Sequence, residues 1–235
     1  TCNIIPHNED FEGLEDYLKF LESIGVDAII VADMGIFSLA KRVAPGLELH
    51  VSTQASTTNW HTVQMWKELG ATRVVAAREV SLADLKEMKD NVDIEIESFV
   101  HGSMCISYSG RCLLSNYMTG NRDANRGQCS QSCRWKYSLV ESNRPGEYYP
   151  IEEDEHGTYI FNSKDLCLIH RIPDLYEAGI DSLKIEGRMK SVHYCATVAK
   201  VYRTAIDTYL KEGKDWYVRP EWIAELEKIS HRPYT

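Results

Sequence analysis

The sequence predicts an α/β protein: an incomplete (β/α)8 TIM-type barrel that lacks its first strands and carries a cysteine-rich insertion. Three observations lead there. Short apolar strands recur at a steady spacing, each followed by an amphipathic helix. The rhythm stops for about 60 residues after position 102, where cysteines cluster, and then resumes. The strands number five, or six with an N-terminal stub, where an intact barrel needs eight in typically ~250 residues.

The elements follow in order. Residues 2–5 read as the tail of a strand. Asn8 is positioned to cap a helix with Phe11, Leu14, Leu18 and Leu21 on one face, closed by Gly25. "VDAIIVAD" (26–33) is nearly continuous in apolar residues, as a strand covered on both faces must be. "LELHVSTQ" (47–54), "TRVVAARE" (72–79) and "DIEIESFVHG" (93–102) repeat the signal, so strand starts at 26, 47, 72 and 93 are spaced by 21, 25 and 21 residues. Ser81, with Asp84 three residues on, starts the helix after the third of these strands. Beyond the insertion, a helix is predicted from about Ser163 to Ala178, then the strand "DSLKIEGR" (181–188), then a long helix capped by Ser191 and closed near Gly213. The organisation is therefore barrel units at 1–102 and 163–213, an insertion at 103–162, with Glu152–Glu155 an acidic loop or hairpin tip, and the start of a truncated C-terminal segment at 214–235. A doubly wound open sheet is the runner-up, but no glycine-rich dinucleotide fingerprint follows any strand.

Composition narrows the function. The net charge of −9 argues against a general nucleic-acid coat. No apolar run reaches 18 residues, which excludes a predicted membrane helix, and no signal peptide opens the chain. Seven cysteines in a chain of 235 residues is odd in number and sparse for a disulfide scaffold, so a reducing, cytoplasmic setting is expected. An opening Thr1 in place of Met reads as a fragment whose start is removed.

Both architectures place ligands at the carboxyl ends of the strands. Those ends carry Asp33, Ser52–Gln54, Arg78 with Glu79, His101, and Glu186 with Arg188. Any one of them is equally well a strand end reaching water; the set points to a site. In the insertion, Cys105, Cys112, Cys129 and Cys133 are spaced C-x6-C-x16-C-x3-C, with Cys167 beyond. Neither a zinc ribbon nor a ferredoxin run has that spacing, and both zinc and an iron–sulfur cluster remain compatible with it. A nucleophilic cysteine needs a base, and His101 is the near one in sequence, but one nucleophile does not explain four cysteines. Cys2 and Cys195 read as isolated, with Cys195 a small hydrophobe on a helix face. Between His101 and Tyr137 five Lys/Arg (Arg111, Arg122, Arg126, Arg134, Lys136) face one acid, Asp123, with Tyr108, Tyr117, Trp135 and Tyr137 among them. Arginines interleaved with aromatics suit an RNA contact surface and, equally, a loop with its own small core.

"ESFVHGSMCISYSGRCLLS" (97–115) resembles the signature of the collagenase-like peptidase family, peptidase U thirty-two, and "NRDANRGQCSQSCRWKY", "NSKDLC" and "SLKIEGRMKS" resemble its further blocks. The likeness runs along the whole chain. It implies a barrel whose first two strands and most of the third precede Thr1, and a longer block beginning at "SHRPYT". The family name implies a protease acting on collagen-like chains, yet no G-x-S-x-G, H-E-x-x-H or paired-aspartate motif occurs. Other relatives hydroxylate RNA or the ubiquinone ring without oxygen. The resemblance to the tRNA-modifying members implies hydroxylation of the wobble uridine, prephenate as cosubstrate, tRNA bound through 101–137, and a [4Fe–4S] cluster. Cys105, Cys112 and Cys129 match the ligand cysteines, and the fourth is Cys133 or Cys167. A cluster-bearing scaffold without catalysis is the third reading, and zinc the alternative metal. Prephenate has two carboxylates, for which guanidinium forks are natural partners. Arg78, Arg188 and Gln54 are thus the expected binding residues, and His101, Glu79 and Glu186 the expected proton-handling ones; ordinary salt-bridged strand ends are the competing account of both Arg–Glu pairs. Unpaired strand edges further imply a homo-oligomer or a paired family member.

Overall fold

The computed structural model describes residues 1–135, 137–140, 142–150 and 164–235. Lys136, the acidic stretch at 152–155 and Ser163 lie outside the described residues.

A five-stranded parallel arc forms the frame. Its strands are β1 (Ala28–Val31), β2 (Glu48–Val51), β3 (Arg73–Val75), β4 (Glu95–Ser103) and, after the insertion, the strand Ser182–Ile185. Neighbours in space follow the chain order, with registers such as Ile29↔Leu49, Val51↔Val74 and Val74↔Ile96, and β4 pairs the last strand through Ser98↔Leu183. No reversal of strand order occurs, so the arc has no topological switch point of the doubly wound kind. The edges do not meet among the described residues. Beyond β1 stands a single bridge from Cys2 to Val31, in place of the expected strand stub.

Helices α1 (Leu14–Ser23), α2 (Met34–Val43), α3 (Trp60–Leu69) and α4 (Leu82–Asn91) connect the first strands. Asp33, Asn59 and Ser81 cap the last three, each accepting a backbone N–H three residues on. Asp33 is therefore committed to its helix rather than to a ligand. The first helix starts later than Asn8: Asn8–Phe11 is a 3-10 turn, and Gly13 at φ +72° breaks the run before Leu14. Of the expected face of the first helix, Leu18 is buried and Phe11, Leu14 and Leu21 are partly buried against the same core; Leu18, Val31, Val51, Val63, Val74, Met88 and Ile96 form one continuous core.

The insertion carries α5 (Leu114–Thr119) and the short pair β5 (Ser138–Leu139) and β6 (Tyr149–Pro150). The predicted helix from about 163 is corrected. Asp165–Cys167 is a strand, β7, antiparallel to the end of β4 (His101↔Cys167), and α6 (Ile172–Glu177) begins only afterwards. The cause is the length of β4: it outruns β3, and the backbone it leaves free is taken by β7 and by the Leu168 N–H, which donates to the Val100 carbonyl at 2.9 Å. The strand β8 (Ser182–Ile185) then leads to α7 (Val192–Glu212), capped by Ser191 as expected, and to α8 (Pro220–Glu227). Trp222 and Leu226 of α8 join Val100, Ile169, Leu175, Tyr194, Val198 and Tyr202 in a second core. Among the described residues no helix is long and apolar enough to cross a membrane.

Candidate ligand and thiol site

The carboxyl ends of β2, β3, β4 and β8 surround a cavity of about 330 Å³. Gln54, Arg78, Glu186 and Arg188 line it, and so do Cys105, Cys112, Cys129 and Cys133 from the insertion. Eight of the eleven expected site residues are thus brought together. Glu79, His101 and Cys167 are not.

Arg78 is the centre of one wall. Its Nη1 donates to Ser109 Oγ at 2.5 Å, and its guanidinium lies 3.8 Å above the Phe99 ring. Its Nε is buried and has no partner among the described residues. Burial pulls its pKa down, opposed by the negative charge of Cys105, Glu186 and Glu79. Around it, Gln54 Oε1, Ser103 Oγ and Glu186 Oε2 are also buried without a hydrogen bond among the described residues. The wall therefore holds donors and acceptors that the protein itself leaves unpaired, a costly arrangement unless a ligand or water completes it.

The four cavity cysteines are free thiols close enough to feel one another's charge: Cys133 senses Cys105, Cys129 and Cys112. Burial pushes the Cys133 thiol up, with Arg134 pulling the other way. Among the described residues no three His, Cys, Asp or Glu side chains stand close enough to hold one metal ion. Cys105, Cys112, Cys129 and Cys133 nonetheless line one and the same cavity.

His101 needs a different account. Alternation along β4 puts Glu97 and Phe99 on the concave face, which predicts His101 there too. A register shift between Phe99 and His101 turns it away. It is fully buried against Tyr194, Tyr202 and Tyr234, with Nδ1 3.4 Å from the Tyr202 hydroxyl. Burial lowers its pKa to about 4, with Asp165 pulling upward and His231 and Lys190 adding to the drop. It does not line the cavity, so it is not placed to serve Cys105 as a base. Glu79 is exposed and outside the cavity. Cys167 lies on β7 with its sulfur 4.0 Å from the Tyr202 hydroxyl, at the second core.

The expected basic surface is also reduced. Arg122 donates to the Gln128 and Cys129 carbonyls, Arg126 forks onto Asp10 at 2.9 and 2.8 Å, and Arg134 pairs with the fully buried Asp165 at 2.6 Å. Arg126 and Arg134 fasten the insertion to the chain on either side of it, and Arg122 braces the insertion internally. Tyr108, Tyr117 and Trp135 remain exposed on its surface.

A comparison with protein families matches peptidase family U32 over residues 1–235. The chain belongs to that family. It is 53% identical to tRNA hydroxylation protein P1 of Bacillus subtilis over 232 residues, 99% of this chain and 54% of the relative. With tRNA hydroxylation protein P of Escherichia coli it shares 40% identity over 275 aligned residues, 100% of this chain and 60% of the relative. The 23S rRNA 5-hydroxycytidine synthase of Escherichia coli is 36% identical over 215 residues, 92% of this chain and 31% of that protein. The chain thus spans little more than half the length of these two tRNA hydroxylation proteins.

Proposed function

We propose that this chain carries the ligand-binding and thiol-bearing part of an RNA hydroxylase, one that modifies the wobble uridine of tRNA without oxygen and uses prephenate. The observation that carries the reading is the cavity wall: a largely buried guanidinium whose Nε has no partner among the described residues, in a cavity of about 330 Å³ that four thiols also line. A buried cation with an unmet donor selects an anionic ligand. Arg78 is placed to take one carboxylate of prephenate, and Arg188 at the cavity mouth the other. Glu186 and Gln54 offer acceptors to hydroxyl or ring N–H donors. Of the three expected proton-handling residues, Glu186 is the one that lines the cavity, and it is assigned the role of holding or passing a proton.

Cys105, Cys112, Cys129 and Cys133 would hold a [4Fe–4S] cluster, and Cys167 would not. When bound, such a cluster supplies an iron centre for electron transfer or ligand activation beside the carboxylate site. Tyr108, Tyr117 and Trp135, with Arg111, offer stacking and charge to an unpaired RNA loop. In the whole protein the arc would be part of a closed barrel, working in the cytoplasm. The names of the relatives support the RNA reading.

Complementation tests it. A deletion strain carrying the Arg78→Ala protein should lack wobble hydroxyuridine, and the parent gene should restore it. Unchanged wobble hydroxyuridine in the deletion strain refutes the function. Gelatin cleavage by anaerobically purified parent, lost in Arg78→Ala, would establish the peptidase reading instead.

A further inference from the structure

Arg188 lies at the mouth of the cavity, exposed. Its guanidinium lies over one close neighbour, Gly127. A Cβ built on Gly127 would fall 2.5 Å from Arg188 Cζ and 2.6 Å from Nη1, and closer still to Nη2. All three distances are shorter than a real Cβ contact, so the guanidinium occupies the space that a side chain at 127 would need. A Cβ there would push the exposed guanidinium off this position.

Gly127 is itself held from several directions. Arg126, its neighbour, is forked onto Asp10. Asn125 Oδ1 accepts the Ile5 N–H at 2.7 Å, and its Nδ2 donates to the Gly110 carbonyl at 3.4 Å. Arg122 closes the far side through the Gln128 and Cys129 carbonyls. The floor under Arg188 is therefore a braced backbone, two residues before a cavity cysteine.

We propose that Gly127 is a positioning residue: its bare backbone seats the Arg188 guanidinium over the cavity and so sets the affinity of the site for a carboxylate-bearing ligand. The inference deepens the proposed function, since prephenate is the ligand that reading names. A free, long arginine side chain loses rotamer freedom each time it binds; one laid on a braced surface has lost it beforehand. One loop then carries both Arg188's seat and Cys129, so guanidinium and thiols keep a fixed relation.

The test uses Gly127→Ala, with Gly120→Ala as its control. Both glycines have positive φ, +76° and +80°, so both substitutions strain the backbone, but nothing lies within 4 Å of a Cβ at 120. The first readout is the rate at which phenylglyoxal modifies Arg188 in the intact protein, followed by peptide mass spectrometry. Gly127→Ala should raise it several-fold and Gly120→Ala should not. The second is prephenate binding by calorimetry. Gly127→Ala should weaken it about tenfold, Arg188→Ala by as much, and the double variant no further, because both act through one contact. An unchanged modification rate in Gly127→Ala, or losses that add in the double variant, overturns the proposal. If the parent binds no prephenate, the ligand assignment falls, and the modification rates alone decide whether Gly127 seats Arg188.

Discussion

Removing the carboxylate of Asp165 should cost this protein more stability than most single changes. Asp165 has no exposed surface, and its partner Arg134 is 9% exposed. Besides the 2.6 Å ion pair, Asp165 Oδ2 accepts the Arg232 N–H at 3.1 Å. Asp165→Ala leaves a guanidinium with no counter-charge in a place water scarcely reaches. Breaking a buried pair from one side costs about 3–5 kcal/mol, against a total stability of about 5–15 kcal/mol for an ordinary protein. With a urea slope of about 2 kcal/mol/M, the unfolding midpoint should fall by roughly 2 M. Circular dichroism in urea measures it. The paired replacement Asp165→Leu with Arg134→Met removes both charges, so most of the loss should return, to within about 1 kcal/mol of the parent. A midpoint within 0.5 M of the parent for Asp165→Ala, a margin roughly a quarter of that expected, would refute the reasoning, as would a double variant no better than the single. The pair also fixes Cys133, the residue before Arg134, so in Asp165→Ala that thiol should react faster with maleimide.

The other expectations are brief. His101 is neutral in the folded protein down to about pH 4, while the unfolded chain takes up its proton near pH 6.5. Its contribution to stability is therefore present above pH 6.5 and lost as pH falls from 6.5 to 4, by roughly 3 kcal/mol at most; His101→Phe should flatten the urea midpoint across that window, and an equally steep profile would contradict the assignment. Gly102, at φ +108°, has the Glu186 carbonyl oxygen where a Cβ would go. Gly102→Ala should thus cost roughly 2–4 kcal/mol in thermal melts, while Gly25→Ala, with positive φ and open space, costs less. Anaerobically prepared intact protein should hold about four iron and four sulfide per chain. Ala at Cys105, Cys112, Cys129 or Cys133 should abolish that content and Ala at Cys167 should not; stoichiometric zinc without iron would sink the cluster.

Much of the frame was legible because its signals are local. The helix starts at Ser81 and Ser191 were read from their caps, and apolar runs marked β1 to β4 and β8 within a few residues. What was missed depends on partners distant in sequence. Asp165–Cys167 is strand only because β4 overruns β3 and needs a neighbour. The path of His101 is set by one irregularity in the pairing of β4 with β8, which no period-two pattern announces. The arginine count overstated the free positive charge for the same reason: Asp10 and Asp165, partners of Arg126 and Arg134, are 116 and 31 residues away.

One signal was present in the sequence and points to how the site is built. Three glycines stand two or three residues before three of the cavity cysteines: Gly102 before Cys105, Gly110 before Cys112, Gly127 before Cys129. All three have positive φ, and each lies against a different cavity residue: Glu186, Gln54 and Arg188 respectively. A chain crossing the mouth of a parallel sheet must turn sharply to point a short thiol back at it, and glycine permits the turn. The same lack of a Cβ lets the backbone at Gly110 and Gly127 touch the Gln54 and Arg188 side chains, and lets β4 at Gly102 pass against the Glu186 carbonyl. Thiol placement and guanidinium placement are then one steric problem with one solution. A substitution at any of these glycines should disturb both halves of the site together, whereas Ala at a cavity cysteine should empty the thiol half and leave Arg78 on Phe99.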